Sequence, residues 1–389
     1  MHQRLARCAR LTVLTLVAGS IACSTRDGSP DVTTVTASAP TWAAGAAWQV
    51  DTAPALVLGG TAPASRLQFV VGAMRQANGL IVVAANGARN LKYFTPDGVL
   101  RATIGREGSG PGEFRYIASL WGCGGDSAFV DDIGQRRVVV YTPDARPVRS
   151  FQLLGPERNT AFSTTCNRRG QVLTTGWGDM RNHPRGAYRP RVRVAYSAPN
   201  GEPTASLGEF PGTEMFAREK DGFPRRAGAW LRVAMGEGMG WVAANEDRNV
   251  RGYDLQGALR IVIERPGTEA PFSDADRAFV RQLALDTVAN DAQRQDVERE
   301  LGLVALPERP PAVSELLADQ TGHVWLRPFP RAASPNPAWQ VFAPDGWWLG
   351  EVVTPAGVQL LEIGRDYLLG LRDSPSVGHQ VVLHALRRP

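Results

Sequence analysis

Slid along itself, the chain lies over its own sequence in one place above all. "GLIVVAANGARNLKYFTPDG" (Gly79–Gly98) and "DSAFVDDIGQRRVVVYTPDA" (Asp126–Ala145) each hold a short apolar strand, a turn at Gly87 or Gly134, a second strand ending in Phe94 or Tyr141, then T-P-D. Tyr141 follows Phe94 by 47 residues. Units of that length with several strands each stack as separate sheets around an axis, not as layers over one core. The final turn recurs as TPDG at Thr95, TPDA at Thr142, APNG at Ala198, DLQG at Asp254 and APDG at Ala343. Proline presets the second position of such a turn, Asp or Asn suits the third, and glycine relaxes the fourth. Each turn stands between two β-rich segments, so each closes a hairpin.

The C-terminus supplies two further strands, "DYLLGLR" and "QVVLHALRRP", and stops where a sixth turn would fall. The missing outer strand is sought at the other end, where "PALVLGGTAPASRLQF" (Pro54–Phe69) parallels "LRATIGREGSGPGEFR". The expectation is an all-β, six-bladed β-propeller whose N-terminal strand completes the last blade, Pro54–Gly59 pairing with Gln380–Leu386. "IGREGSGPGEF" invites comparison with a phosphate loop, but "LGGTAPASRLQF" (Leu58–Phe69) and "LGEFPGTEMF" (Leu207–Phe216) occupy the same position in other units. A phosphate loop would occur once and open a helix; this one recurs before strands and is a connector.

With these residues in view, "GREGSGPGEFRYI…DSAFVDDIGQRRVVVYTPDA" resembles the NHL repeat of six-bladed propellers: a glycine-rich connector ending in G-P-G-x-F, then aspartate, Arg-Val and an aromatic before the turn. The likeness is close over Ile104–Leu154 and looser elsewhere. It implies the fold and little about activity, since the same ring hosts lyases, lactonases, receptors and interaction modules. It also implies that the aspartate at Asp131 or Asp132 bonds its own turn instead of a metal.

At the N-terminus, "HQRLARCAR" precedes an apolar run too short to span a bilayer, "LTVLTLVAGSIA". Ending in "GSIAC", it resembles a bacterial lipoprotein signal, with Cys23 as the lipidated residue. Ser20 stands where that signal usually carries leucine, so ordinary cleavage without a lipid stays open. Residues 1–22 are then the signal peptide, 23–47 a flexible Ser/Thr/Ala/Pro-rich tether and 48–389 the propeller. The expected location is the cell envelope, as a periplasmic or outer-membrane lipoprotein held by its lipid alone. The formal charge of +5 falls to +2 without Arg4, Arg7 and Arg10, which gives no basis for a nucleic-acid partner, and a monomer is expected.

Strand parity assigns faces. If the innermost strand of each blade starts on one face, the connectors and the loops between second and third strands lie on that face too. The T-P-D turns lie on the other. The two longest insertions, Gly176–Arg191 and Glu264–Pro311, both fall on the first face, where binding is expected. Residues 265–311 are expected to be helical between blades 4 and 5: Ser273 and Asp276 form an S-x-x-D cap, the run ends at Gly302, and Phe279, Val280 and Leu283 could pack on the rim. This element is either a lid over the channel or a cover on a blade joint. Cys123 and Cys166 both fall where an innermost strand ends in consecutive blades, so a disulfide is expected in an exported chain, with two buried thiols as the alternative.

Arg181, His183, Arg185, Arg189, Arg191 and Arg193 crowd the third-blade insertion. Arg218, Lys220, Arg225, Arg226 and Arg232 surround Trp230 near the next inner strand. The candidate ligand-binding set is Arg181, His183, Arg191, Trp230 and Arg232, with Arg115 and Tyr116 on the connector into blade 2. It would be an anion site with guanidinium forks and a stacking ring, or else solvated loop charges paired with Asp179, Glu214 and Glu219. No H-E-x-x-H, paired C-x-x-C, calcium-loop or G-x-S-x-G pattern occurs, so no metal, cofactor or catalytic residue is assigned. His323 is expected to be a packed residue. The functional expectation is a binding or scaffold protein for a peptide, a protein or a small anionic ligand. The alternative is a metal-assisted lactonase or lyase holding calcium in the central channel with residues such as Glu237, Glu315, Glu362, Asn159 and Asn245.

Overall fold

The computed structural model describes residues 31–43, 45–155, 161–177, 185–218, 222–286, 288, 290–374 and 376–389. Within Val32–Pro389 the fold is mostly β and propeller-like. Sheet 1 runs outward through Val70–Arg75, Ile81–Ala85, Asn90–Phe94 and Leu100–Ile104. The same antiparallel order repeats, among the described residues, in sheets whose innermost strands are Ile117–Cys123, Phe162–Cys166, Arg232–Met235, Glu315–Ala318 and Val358–Ile363, numbered sheets 2 to 6. Second strands such as "IVVAA" (Ile81–Ala85) are buried at every position, because a neighbouring sheet covers each face; outermost strands such as Pro147–Phe151 are largely exposed. Each adjacent pair shares an apolar cluster: Met74, Val82 and Tyr93 meet Leu120, Val130 and Tyr141 between sheets 1 and 2. Val70, Val83 and Phe94 likewise meet Tyr367, Leu369 and Val381 between sheets 1 and 6.

The five hairpin turns have the geometry their sequences require. The fourth-position N–H donates to the first carbonyl at 2.8 Å in Thr95–Gly98 and at 2.9 Å in the turns at Thr142, Ala198, Asp254 and Ala343. That fourth residue is left-handed in each, with φ of 87° at Gly98 and 64° at Ala145, where the glycine is absent.

Leu56–Leu58 pairs with Val381–Leu383 as the outermost strand of sheet 6, and Leu58 is buried there at 2% exposure. The segment before it departs from the flexible tether expected over residues 23–47. Thr33–Thr36 is a strand, parallel to Leu259–Glu264 on the outer edge of sheet 4, with Val35 turned inward. Its T-T-V-T sequence is β-branched throughout, and an open sheet edge offers it a full row of donors and acceptors. The chain then crosses sheet 5, where Trp42 N–H donates to Leu349 O at 2.7 Å. The Trp42 ring lies so close over Gly350 that a Cβ there would sit 2.2 Å from it. Gln49–Val50 finally pairs with Leu386–Arg387. Strand structure is therefore present from Thr33 onward among the described residues, ahead of Trp48.

Arg388 fastens the other end of the chain. Its guanidinium lies over Trp48 at 4.2 Å and donates to Asp319 Oδ2 at 2.9 Å. Asp319 also accepts from Trp325 Nε1 at 3.1 Å and from the His323 backbone N–H at 2.9 Å. Burial alone would raise this carboxyl, but its hydrogen bonds and the Arg388 charge hold it down at about 2. His323 itself packs edge-on to Trp48 at 4.8 Å, as a structural residue.

The expected single helical run is two helices, α1 (Asp274–Asp286) and α2 (Asp291–Leu303), placed in the chain between sheets 4 and 5. Ser273 and Asp276 do form the reciprocal cap: Asp276 N–H donates to Ser273 Oγ at 3.1 Å and Ser273 N–H to Asp276 Oδ2 at 3.0 Å. Asn290 breaks the run by capping α2, its Oδ1 accepting from Gln293 N–H at 3.0 Å. No helix among the described residues is long and apolar enough to cross a membrane. Cys123 and Cys166 end neighbouring innermost strands with Cα atoms 5.8 Å apart, and their sulfurs are bonded.

Two substitutions test these packing claims in equilibrium denaturation. Leu58→Ala should cost about 2–5 kcal/mol whereas Val57→Ala, on the exposed face of the same strand, should stay within about 0.5 kcal/mol; equal effects would mean that the strand is not part of the core. Ala145→Gly should stabilise by roughly 1 kcal/mol, by removing a left-handed Cβ, and a loss would contradict the turn geometry.

Candidate functional site

The innermost strands of all six sheets line one central cavity of 340 Å³, which continues into a second of 570 Å³ at the strand exits. Among its described residues, the helical insertion 265–311 lines neither one. It forms instead a cleft of 560 Å³ on the first face, between α1 and the entries to sheets 4 and 5. On that face the third-sheet insertion and the following connector also build a small sheet of their own, from Gly186–Tyr188, Met215–Ala217 and Gly222–Pro224.

The insertion is pinned at both ends. Arg331, on the loop between second and third strands of sheet 5, donates through Nη2 to Asp276 Oδ2 and to Pro271 O, both at 2.6 Å. The Ala332 N–H donates to Asp276 Oδ1 at 3.0 Å. Arg331 above all holds the Asp276 carboxyl well below the usual carboxylate range, against the opposing effect of burial. Phe272 packs edge-on to Phe329 at 5.7 Å. At α2, Arg226 Nη2 lies 3.2 Å from Glu300 Oε2, and Arg225 Nη2 donates to Ala305 O at 2.8 Å. Val280 is buried as expected, while Leu283 is exposed, at 43%, and lines the cleft.

Trp230 and Arg232 meet in this cleft. They enter and begin the strand Arg232–Met235, and alternation along an extended chain puts residues two apart on the same side. The Arg232 guanidinium lies over the Trp230 ring at 4.7 Å. Burial lowers its pKa, a pull the nearby Glu315 opposes. The neighbouring acids are otherwise engaged: Glu300 with Arg226, Glu214 with Arg225, and Glu315 with Arg327 at 2.6 Å. Among the described residues Arg232 makes no ion pair or hydrogen bond, and its Nε is buried without an acceptor. Phe223, Val280, Val313 and Phe329 give the remaining wall an apolar character. The arrangement can take an anionic group against a stacked guanidinium and an apolar body against the helix.

Other sequence candidates fall elsewhere. Arg191 is exposed and donates to Glu209 O at 2.6 Å on the third strand of its sheet. Arg115 donates through Nε to Ser109 Oγ at 2.7 Å, and Tyr116 lies under Arg89 at 5.4 Å; none of the three lines the cleft. Arg189 spends its guanidinium on the carbonyls of Pro211, Gly212 and Ala244. Arg181, His183 and Asn159 lie outside the described residues. Asp132 has a structural task, but its carboxylate serves the connector and not its own turn alone: it accepts from Tyr116 N–H at 2.9 Å and from Arg115 N–H at 3.2 Å.

Each described residue named for a calcium site has another partner, although Glu237 and Glu362 line the same central cavity. Asn245 is consumed between two strand entries, accepting from Val313 N–H at 2.9 Å and donating to Trp230 O at 2.8 Å. Glu237 lies 3.7 Å from Arg168 Nε, Glu315 belongs to Arg327, and Glu362 accepts from Arg75 N–H at 2.7 Å. Among the described residues no three His, Cys, Asp or Glu side chains are grouped to hold a metal ion.

No protein family matches the chain, and no curated protein resembles it at significant similarity. Solved structures do. A protein of Bacteroides fragilis described as exported is 13% identical, aligned over 92% of this chain and 100% of its own, with a TM-score of 0.49. A gluconolactonase from Xanthomonas campestris is 13% identical over 87% of this chain and 96% of its own, with a TM-score of 0.41. Virginiamycin B lyase from Staphylococcus aureus is 9% identical over 81% and 80%, with a TM-score of 0.39. Likeness at that level carries no activity across; the fold rests on the strand order and the site on its own geometry.

Arg331→Ala should release the insertion. Limited proteolysis within residues 273–303 should speed up by roughly tenfold, the equivalent of about 1.4 kcal/mol of local opening, with the sheets left intact. An unchanged cleavage rate would mean that the ion pair does not hold the cleft together.

Proposed function

We propose that this chain is a six-bladed propeller of NHL-like type, closed through its N-terminal strand, which acts as a binding protein of the cell envelope. Its ligand is a small or peptide-borne anion with an apolar body, seated in the cleft beneath α1. The observation that carries this reading is Arg232: a partly buried guanidinium stacked on Trp230, with no carboxylate of its own, in a cleft whose other basic residues are neutralised. Keeping a cation there unpaired is unfavourable unless a counter-ion arrives. Half-exposed apolar side chains at the cleft, Trp230 and Leu283, fit the same reading.

The leader-like residues 1–22, Cys23 and the Cys123–Cys166 bond support export to an oxidising compartment, with a lipid on Cys23 as the anchor. The lactonase or lyase alternative draws less support, because Glu237 and Glu315 are paired with Arg168 and Arg327, which leaves Glu362 as the one named carboxylate with acceptor capacity in the channel among the described residues.

Titration calorimetry with hydrocinnamate and dodecanoate, and with their neutral amides, tests the cleft. The carboxylates should bind and the amides should not, and Arg232→Met should weaken binding by roughly 10- to 100-fold, the loss of one charge-assisted hydrogen bond in a sheltered site. Equal binding of acid and amide, or an unaffected Arg232→Met variant, would falsify the assignment.

A further inference from the structure

The waist of the central channel holds polar chemistry that the rim cleft does not use. Glu362, near the end of the innermost strand of sheet 6, lines both channel cavities. Its Oε2 accepts from Arg75 N–H at 2.7 Å and its Oε1 from Gln320 Nε2 at 2.8 Å. Gln320 is shared further: Nε2 also donates to Tyr367 Oη at 3.1 Å, and Oε1 accepts from Arg168 Nη2 at 3.3 Å. The Tyr367 hydroxyl also hydrogen-bonds to this carboxylate, so three partners share its roughly four acceptor positions and leave Glu362 one to spare.

A second acceptor stands in the same 570 Å³ cavity. Gln76 is 2% exposed; its Nε2 donates to Asp126 O at 3.2 Å, yet its Oε1 is buried with no donor. An unpaired buried amide oxygen is costly enough to need a partner. Two under-used acceptors in one cavity are matched by a group carrying several N–H bonds. On the rim, Arg365 is exposed and makes no ion pair or hydrogen bond among the described residues, which leaves a cation for an anionic group.

We propose that this cavity is a second ligand site, independent of the rim cleft, for a small zwitterion whose ammonium group sits against Glu362 and Gln76 and whose carboxylate faces Arg365. Burial pushes the Glu362 carboxyl up to about 7, against the pull of its hydrogen bonds and of the Arg75 charge. The charged and titratable groups around it are Arg75 from sheet 1, Asp126 from sheet 2, Arg168 from sheet 3 with Glu237 of sheet 4 behind it, Asp319 from sheet 5, and Arg365, Asp366 and Tyr367 from sheet 6. The sign follows. An ammonium group favours the ionised carboxylate, which predominates above pH 7, so loading releases a proton and affinity rises with pH. Between about pH 6 and pH 8 the gain should be on the order of tenfold, with a lysine-like amine charged throughout.

The experiment is titration calorimetry of the intact exported chain with glycine, β-alanine, γ-aminobutyrate and ε-aminocaproate, which differ in the distance between their charges. At least one should bind, more tightly at the higher pH. Glu362→Gln should weaken it at least tenfold and flatten the pH dependence, Arg365→Ala should weaken it without touching the interior, and Arg232→Met should change nothing. Binding that depends on Arg232 and not on Glu362 would place the ligand in the rim cleft and overturn this site. The proposal also fails if no member of the series binds, or if hexylamine or hexanoate binds as well as ε-aminocaproate.

Discussion

The last strand of the chain takes its outer partners from residues near Trp48 and Leu58, more than three hundred positions earlier. Gly378–Arg387 has Tyr367–Ser374 on one side, and on the other it takes Leu56–Leu58 and then Gln49–Val50. Without them its backbone groups would form an open edge, and Leu58, Val381 and Leu383 would lose the cluster they share with sheet 1. This pairing contributes to the contact between sheet 6 and sheet 1. The rim cleft lies at the entries to sheets 4 and 5, and residues of all six innermost strands line the central cavity.

The two ends of the central axis are furnished differently. At the entry face, long insertions add an outer layer of structure, and the cleft they make is apolar with one uncompensated cation. At the exit face the turns are short, and the polar groups come from residues at or just past five of the innermost strands: Arg75, Gln76, Asp126, Arg168, Gln320 and Arg365. Short turns hold such residues rigidly, since little backbone is free to move, whereas the insertion depends on discrete contacts such as Arg331 with Asp276.

Much of the fold was legible because its signals are local. A T-P-D turn, an alternating strand and an S-x-x-D cap each act within a few residues, so Thr95–Gly98, Thr142–Ala145 and Ser273–Asp276 could be read directly. Trp230 and Arg232 were legible as a pair for the same reason, being two residues apart on one extended segment. Arg191, Arg115 and Tyr116 lie outside this cleft, and neither a cluster of basic residues nor a place on a connector says in sequence which side of a strand each side chain occupies. The Gln76–Gln320–Glu362 group comes from three sheets far apart in the chain, and only the ring brings it together. Strand parity, applied to the exit turns as well as to the insertions, was the signal that could have exposed it. The edge-pairing of Thr33–Thr36 was hidden by a composition that also suits a linker.

Sheet 6 draws on residues separated by more than three hundred positions, Leu56–Leu58 against Val381–Leu383. During synthesis the early strand has no partner until the chain has grown by more than three hundred residues. Contacts of such long range form late and slowly. Topology alone therefore postpones this cooperative step until Val381–Leu383 has been made.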